Sequence, residues 1–265
     1  MTEEATPASF IAALGMDFWI EDGATRGRAE LGPLTWAPGT DRPRIGALAT
    51  MVDLAVGMPP GGPITPTIDL RVSLLARPPM SGPVHLVCRP AKVGRRLFVA
   101  EVVLAAAGAE RPFAWGAATF FNQGMDVGPP PSGPRPVVQA ASIDELLGVR
   151  YPDQHTAEID YHPGVSNGPG GTIQGGAQAL LGEMAAERAL VGRGPFTVND
   201  LEIRYLNRVA VGPLLATAEV LAAGDEEATV RVPLVDRGNA GRLVALVTAV
   251  CRRTVEESDD PARFA

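Results

Sequence analysis

The residues best suited to chemistry lie in one stretch, Gln174 to Glu183, where a glycine pair opens an apolar helix pattern. Glu183 follows Gly176 by seven residues, close to two α-helical turns, so the two residues should lie on nearly the same helix face. The first N–H groups of a helix lack intrahelical partners and carry partial positive charge, which suits an oxygen that gains negative charge. Glycine there would let a substrate approach the backbone. The stretch therefore predicts an oxyanion site and a general base on one helix face.

The same arrangement occurs twice in the chain. Gly46 and Asp53 precede Gly176 and Glu183 by 130 residues. Each half is predicted to contain a short helix, strands, one long apolar helix and four further strands. A helix that is apolar nearly all round must be buried. We therefore predict an α+β fold in which an antiparallel sheet wraps each long helix and the two units pack as an intramolecular pseudo-dimer.

Composition divides the chain into four segments. Residues 1–124 and 142–255 are predicted to be the two units, residues 125–141 a Pro/Gly-rich linker and residues 256–265 an acidic tail. The density of proline in the linker prevents sheet pairing and helix continuation, so this segment should be semi-rigid. Long helices are predicted over residues 44–57 and from residue 174. Strands are predicted over residues 67–75, 84–92, 97–106, 113–121, 156–161, 198–206, 214–222, 227–235 and 242–251.

Charge and composition exclude several classes of function. The formal net charge is −7, and no basic cluster is interleaved with aromatic residues, so no nucleic acid partner is predicted. No run reaches the roughly 18 apolar residues of a membrane span. With no export signal at the N-terminus and only Cys88 and Cys251, we predict a cytoplasmic protein with reduced thiols. The three histidines lack the spacing of metal ligands, and we predict neither a metal nor a cofactor.

Taken together, these features resemble the hotdog-fold acyl-CoA thioesterases, in particular the PaaI-like group in a tandem, double-hotdog arrangement. The resemblance covers nearly all of both halves. It implies hydrolysis of an acyl thioester carried on CoA or acyl carrier protein, and it allows homo-oligomers of double-hotdog chains. The residues that carry it are Gln174-Gly-Gly176 with Glu183, Gly46 with Asp53, residues 67–75, Gly82-Pro83 and Val93-Gly94-Arg95.

The resemblance also implies which residues form the site. In that family a His-Gly-Gly loop and a nearby Asn polarise the thioester carbonyl, and a backbone N–H binds the oxyanion. An Asp or Glu on the central helix activates water with the help of a Ser or Thr on the following strand. The loop elements fall on Asn167, Gln174 and Gly175, and the carboxylate and hydroxyl fall on Asp53 and Thr67. Gln174 stands where the family has His, and it cannot titrate near neutral pH.

The two composite sites expected from this pattern are unequal. In many family members the loop and the carboxylate come from opposite halves, which would bring the Gln174 loop to Asp53. The other site would combine Ile45 with Glu183 and Val198, where isoleucine obstructs the backbone and valine cannot bond to water. We therefore predict one working site, centred on Asp53. Glu183 would be the base if the two halves did not exchange their loops.

Substrate contacts are also predicted for Gly176 and for Arg95 and Arg96, which lie in a predicted hairpin turn and could meet a CoA phosphate. A different class of function stays open, namely a non-catalytic protein that binds acyl-CoA or another hydrophobic ligand. The missing His and the altered first loop around Ile45 favour this alternative. A hotdog dehydratase is disfavoured because no histidine accompanies Asp53 or Glu183 on its helix.

Overall fold

The computed structural model describes residues 10–37, 40, 42–59, 66–122, 142–166 and 171–254. The predicted linker, the predicted acidic tail and Asn167 lie outside the described residues. The domain boundaries proposed from composition therefore stay predictions.

Among the described residues, the first half contains two α-helices and six strands. These are α1 (Phe10–Ala13), β1 (Asp17–Glu21), β2 (Ala24–Leu31), α2 (Ile45–Val56), β3 (Thr67–Leu74), β4 (Gly82–Val93), β5 (Leu97–Ala106) and β6 (Ala114–Phe121). The second half contains α3 (Ile143–Leu147), β7 (Thr156–Ile159), α4 (Gly175–Ala189), β8 (Phe196–Tyr205), β9 (Leu214–Thr217), β10 (Glu219–Ala223), β11 (Glu227–Asp236) and β12 (Arg242–Arg253).

The strands form one 12-stranded sheet in the order β1-β2-β4-β5-β6-β3-β8-β12-β11-β9-β7, with β10 also paired to β11. The halves join where β3 and β8 run antiparallel, with Leu70 opposite Ile203. Inward-facing residues alternate along the strands and cover the two long helices with an apolar layer. The prediction of an α+β fold with two buried helices and an antiparallel sheet is confirmed.

Helices α2 and α4 pack against each other through the glycines that mark the repeat. A Cβ on Gly46 would lie 2.7 Å from the Cα of Leu180, and a Cβ on Gly176 would lie 1.9 Å from the Oγ1 of Thr50. Thr50 and Leu180 are themselves 130 residues apart. The glycine at each position is therefore required for close helix packing. The prediction that Gly176 is glycine to admit a substrate is corrected: Thr50 occupies that space.

One predicted strand divides in two. The pattern over residues 214–222 predicts a single strand, whereas β9 ends at Thr217 and β10 begins at Glu219. The N–H of Ala218 donates to the carbonyl of His155 at 2.7 Å instead of continuing a ladder. Strand β7 is shorter than predicted and ends at Ile159.

Candidate active site

Asp53 lies near the C-terminal end of α2 and is contacted from both halves of the chain. The Oγ1 of Thr67, at the start of β3, donates to its Oδ1 at 2.6 Å. The Nε2 of Gln174, just before α4, donates to its Oδ2 at 3.3 Å. The structure thus brings together three of the residues predicted for the composite site, with Gln174 supplied by the second half.

Asp53 is poorly solvated, with 9% of its surface exposed. Burial raises the pKa of its carboxyl to about 6, and the hydrogen bond from Thr67 opposes that rise. Because burial disfavours the charged form, the carboxylate is a stronger base than a solvated Asp. A base whose pKa lies close to neutral is suited to proton transfer at physiological pH.

Gln174 links Asp53 to the first turn of α4. Its Oε1 accepts a hydrogen bond from the N–H of Ala177 at 3.1 Å, which makes it the N-cap of the helix and turns its amide NH2 toward Asp53. No described residue accepts a hydrogen bond from the N–H of Gly175 or Gly176. The first two N–H groups of α4, which follow the Gln174 that contacts Asp53, therefore have no acceptor in the described part of the chain, and helix N-terminal donors of this kind can stabilise an oxyanion.

Tyr205, the last residue of β8, is a site neighbour that the sequence analysis missed. Its hydroxyl donates to the carbonyl of Gly175 at 2.9 Å, and a Cβ on Gly175 would lie 2.9 Å from the same hydroxyl oxygen. Burial raises the pKa of Tyr205 well above its ordinary value, and the nearby charge of Asp53 raises it further. The only signal in the sequence is that a tyrosine stands where the first half has Leu74.

The opposite end of the helix pair is arranged differently. Glu183 accepts the N–H of Ile45 at 2.9 Å on Oε1 and the N–H of Gly46 at 2.7 Å on Oε2. Only 2% of Glu183 is exposed. The carboxylate of one helix therefore occupies the N-terminal donors of the other. The prediction from spacing alone, that Glu183 and Gly176 form one site on one helix face, does not match this geometry, because Glu183 projects to α2.

A buried arginine, Arg44, contacts several acids at this closed end. Arg44 contacts Asp144 at 2.8 Å and Glu187 at 3.1 Å, and its Nη1 lies 4.0 Å from Glu183. Burial and the neighbouring Glu187 raise the pKa of Glu183, while Arg44 and the two backbone N–H groups oppose the rise. The N–H of Val198 donates to Glu187 at 3.2 Å, and the valine side chain offers no hydroxyl to a water.

Arg95 and Arg96 lie apart from the Asp53 group, in the hairpin between β4 and β5. With Lys92, Gly94 and Leu97 they line a hollow of about 460 Å³. The carbonyl of Arg96 accepts the N–H of Asn122, and the N–H of the adjacent Phe121 donates to Pro66, each at 2.8 Å. The hairpin therefore lies at the end of the strands where Thr67 begins β3.

Cys88 and Cys251 are free and buried, and burial raises the pKa of the Cys88 thiol to about 12. The described residues hold no group of three or more His, Cys, Asp or Glu side chains arranged to bind a metal ion. No helix in the described part of the chain is long and apolar enough to cross a membrane.

Comparison with known proteins agrees with this architecture. The sequence-family model of the thioesterase superfamily matches residues 170–241, which include all of α4. No curated protein matches the chain. A protein of unknown function with a hot dog fold from Alicyclobacillus acidocaldarius superimposes with a TM-score of 0.63 at 13% identity, covering 93% of this chain and 98% of that one.

Two solved thioesterases superimpose over similar lengths. The acyl-CoA thioesterase II TesB2 from Mycobacterium marinum has a TM-score of 0.60 at 14% identity and covers 94% of this chain and 99% of its own. The 12:0-ACP thioesterase from Umbellularia californica has a TM-score of 0.61 at 10% identity and covers 87% and 94%. The chain is thus a tandem, double-hotdog protein, and its second unit matches the thioesterase superfamily.

Proposed function

We propose that this protein hydrolyses an acyl thioester to a free acid and a thiol at a single site around Asp53. The observation that carries the proposal is the buried carboxylate of Asp53, held by Thr67 and Gln174 beside the free N-terminal donors of α4. The thioesterase-superfamily match to residues 170–241 supports the reaction class. The solved relatives named for acyl-CoA and acyl-carrier-protein thioesters support the substrate class.

The reaction follows from the positions of these groups. A water molecule held by Asp53, Thr67 and Gln174 gives a proton to the Asp53 carboxylate while its oxygen bonds to the thioester carbon. The carbonyl oxygen becomes an oxyanion and is stabilised by the N–H groups of Gly175 and Gly176. The C–S bond then breaks, the carbonyl re-forms, and the departing sulfur receives the proton that Asp53 holds. Gln174 acts as a fixed donor and need not change its charge.

We assign the closed end a structural role. Glu183 fills the donor positions that an oxyanion would need, and Val198 stands where the open end has the hydroxyl of Thr67. Arg44 pairs with acids on α3 and α4 and so ties the two halves together. We therefore propose one working site in each chain.

Charge at the two equivalent hairpins supports a substrate with a phosphate group. In the β4–β5 hairpin Gly94 donates to Leu97 at 2.9 Å, and in the β10–β11 hairpin Gly224 donates to Glu227 at 2.8 Å, so the turns correspond. The first hairpin carries Arg95 and Arg96 at the positions where the second has Asp225 and Glu226. The basic hairpin lies at the same end of the strands as Thr67. We propose that Arg95, Arg96 and Lys92 bind a phosphate of the CoA or phosphopantetheine part of the substrate.

The test is thiol release from acyl-CoAs of varied chain length, comparing the wild-type protein with Asp53→Asn. Loss of a general base should lower kcat by about 100- to 10,000-fold. Because Asp53 must be ionised and its pKa is raised to about 6, wild-type activity should fall about tenfold for each pH unit below that value.

Asp160→Asn, which neutralises an exposed carboxylate paired with Arg150, is the matched control and should retain wild-type activity. Hydrolysis by Asp53→Asn at the wild-type rate would overturn the assignment of Asp53. A tight and saturable acyl-CoA complex with no thiol release across the panel would instead support the non-catalytic binding protein.

A further inference from the structure

Tyr205 connects the end of β8 to the first turn of α4. Its hydroxyl donates to the carbonyl of Gly175 at 2.9 Å, and its ring lies in the space that a side chain at position 175 would need. Gly175 therefore has a packing reason to be glycine that involves Tyr205. The contact joins the sheet to the part of α4 that offers the free N–H donors.

The accepting carbonyl belongs to the same peptide unit as one of those donors. The C=O of Gly175 and the N–H of Gly176 lie in one plane, because the peptide bond between them has partial double-bond character. A hydrogen bond that fixes the carbonyl therefore also fixes the direction of the N–H. Hydrogen bonds joined in a chain polarise one another, so the N–H of Gly176 also becomes a better donor.

This contact is confined to the open end of the helix pair. Tyr205 pairs with Ala245 across β8 and β12, and Leu74 pairs with Ala114 across β3 and β6, so Leu74 is the counterpart of Tyr205. Leucine cannot donate a hydrogen bond. At the closed end the donors of α2 are held by Glu183. Among the described residues, a tyrosine hydroxyl at this strand position is thus present only at the helix whose first N–H groups have no acceptor.

We propose that Tyr205 is a positioning residue for thioester hydrolysis, which holds the Gly175–Gly176 peptide so that the N–H of Gly176 meets the oxyanion. This inference rests on the proposed function. Burial and the charge of Asp53 keep the hydroxyl protonated, and hence a donor, throughout the physiological pH range. Tyr205 acts through the peptide and exchanges no proton with the substrate.

The experiment compares Tyr205→Phe with Tyr151→Phe. Both changes remove one hydroxyl and keep the ring, and the hydroxyl of Tyr151 donates to Asp144 in the acid cluster of the closed end. Loss of a whole oxyanion donor costs about 100- to 1,000-fold in rate. Misalignment of that donor should cost less, so we expect Tyr205→Phe to lower kcat roughly tenfold with KM within about twofold. The acid limb of the pH profile should stay near pH 6, and Tyr151→Phe should match the wild type.

A second measurement does not depend on activity. In 15N-labelled protein, Tyr205→Phe should shift the amide resonance of Gly176, and Tyr151→Phe should leave it in place. A shifted Gly176 resonance with unchanged kcat would reduce Tyr205 to a packing residue and overturn the inference. A raised KM alone or a displaced pH profile would also overturn it, because Tyr205 would then contact the substrate or titrate. Wild-type protein that releases no thiol would refute the proposed function itself.

Discussion

The two long helices begin at equivalent positions of the repeat, yet their N-termini differ in what faces them. At α4 the facing acid is Asp53, which accepts hydrogen bonds from Thr67 and Gln174, and the first two N–H groups of the helix have no acceptor among the described residues. At α2 the facing acid is Glu183, which accepts those two N–H groups itself. At one end the helix N–H groups have no acceptor among the described residues, and at the other they are closed by the protein's own side chain.

The acids at the two ends differ by a single methylene group, which extends the side chain by about 1.5 Å. At equivalent backbone positions that length separates a carboxylate that caps the opposite helix from one that stops short of it. The second difference is the residue on the following strand, where Thr67 can hold Asp53 back and Val198 cannot hold Glu183. Side-chain length and the residue on the following strand therefore decide whether the acid bonds to the N-terminus of the opposite helix.

Asp53→Glu tests whether side-chain length separates the two ends, and among the changes that keep a carboxylate it should have the largest effect on activity. The longer side chain should reach the N–H groups of Gly175 and Gly176, as Glu183 reaches those of Ile45 and Gly46. A carboxylate would still be present, but the oxyanion donors would be occupied. We expect kcat for acyl-CoA hydrolysis to fall by about 100- to 1,000-fold, measured by thiol release.

The reverse change, Glu183→Asp, is the control for that experiment. It should free the donors of α2 without creating activity, because Val198 offers no hydroxyl and Arg44 stays beside the acid. An Asp53→Glu protein with near wild-type kcat would show that reach does not separate the two ends.

Much of this arrangement follows from the sequence. The repeated interval between Gly46 and Asp53 and between Gly176 and Glu183 predicts two equivalent helices. Pairing the loop of one half with the acid of the other predicts that Gln174 meets Asp53. A local pattern suffices for the two helices, because a buried apolar helix and alternating strands leave a periodic trace. The exchange of loops between the halves is implied only by the resemblance to the hotdog thioesterases.

The parts that sequence reasoning missed depend on contacts between distant residues. Whether Glu183 serves its own glycines or caps α2 depends on how the two helices cross, which no local pattern records. The contact of Tyr205 with Gly175 joins a strand end to a helix start 30 residues earlier. Position 176 is glycine because Thr50 packs against it, not because a substrate needs the space. The close approach of Thr50 is visible only in the three-dimensional structure.

The basic and acidic hairpins also distinguish the two ends of the molecule. Reversing two exposed charges, with Arg95→Glu and Arg96→Glu together, should cost about 0.5–1 kcal/mol for each charge in phosphate binding. We therefore expect KM for an acyl-CoA to rise roughly tenfold while kcat stays unchanged. KM for the same acyl group on N-acetylcysteamine, which has no phosphate, should not change.

The matched control places lysine at Asp225 and Glu226 in the equivalent hairpin beside the closed end, and it should leave both KM values unchanged. A similar rise of KM for both thioesters in the arginine variant would mean that the basic hairpin supports the site in another way and binds no phosphate.

The smallest change in activity is expected for Glu183→Gln, which tests whether the closed end is structural. Glutamine has one acceptor oxygen, so one of the two helix N–H groups would face an amide NH2. A buried donor without an acceptor costs about 1–3 kcal/mol, and the free energy of unfolding, measured with denaturant, should fall by that amount while kcat stays within about twofold.

Asp53→Asn should raise the free energy of unfolding and greatly lower activity, the opposite of what is expected for Glu183→Gln. Because the native pKa of Asp53 is raised to about 6, ionising it costs native stability as the pH rises from about 4 through 6. The amide removes that cost, so the variant should be more stable than the wild type at pH 8 by about 1–3 kcal/mol while it loses activity. An acid that supports hydrolysis at one end would then stand opposite an acid whose hydrogen bonds to Ile45 and Gly46 are structural and which supports none. Loss of hydrolysis in a stably folded Glu183→Gln protein would remove that distinction and place catalysis at both ends.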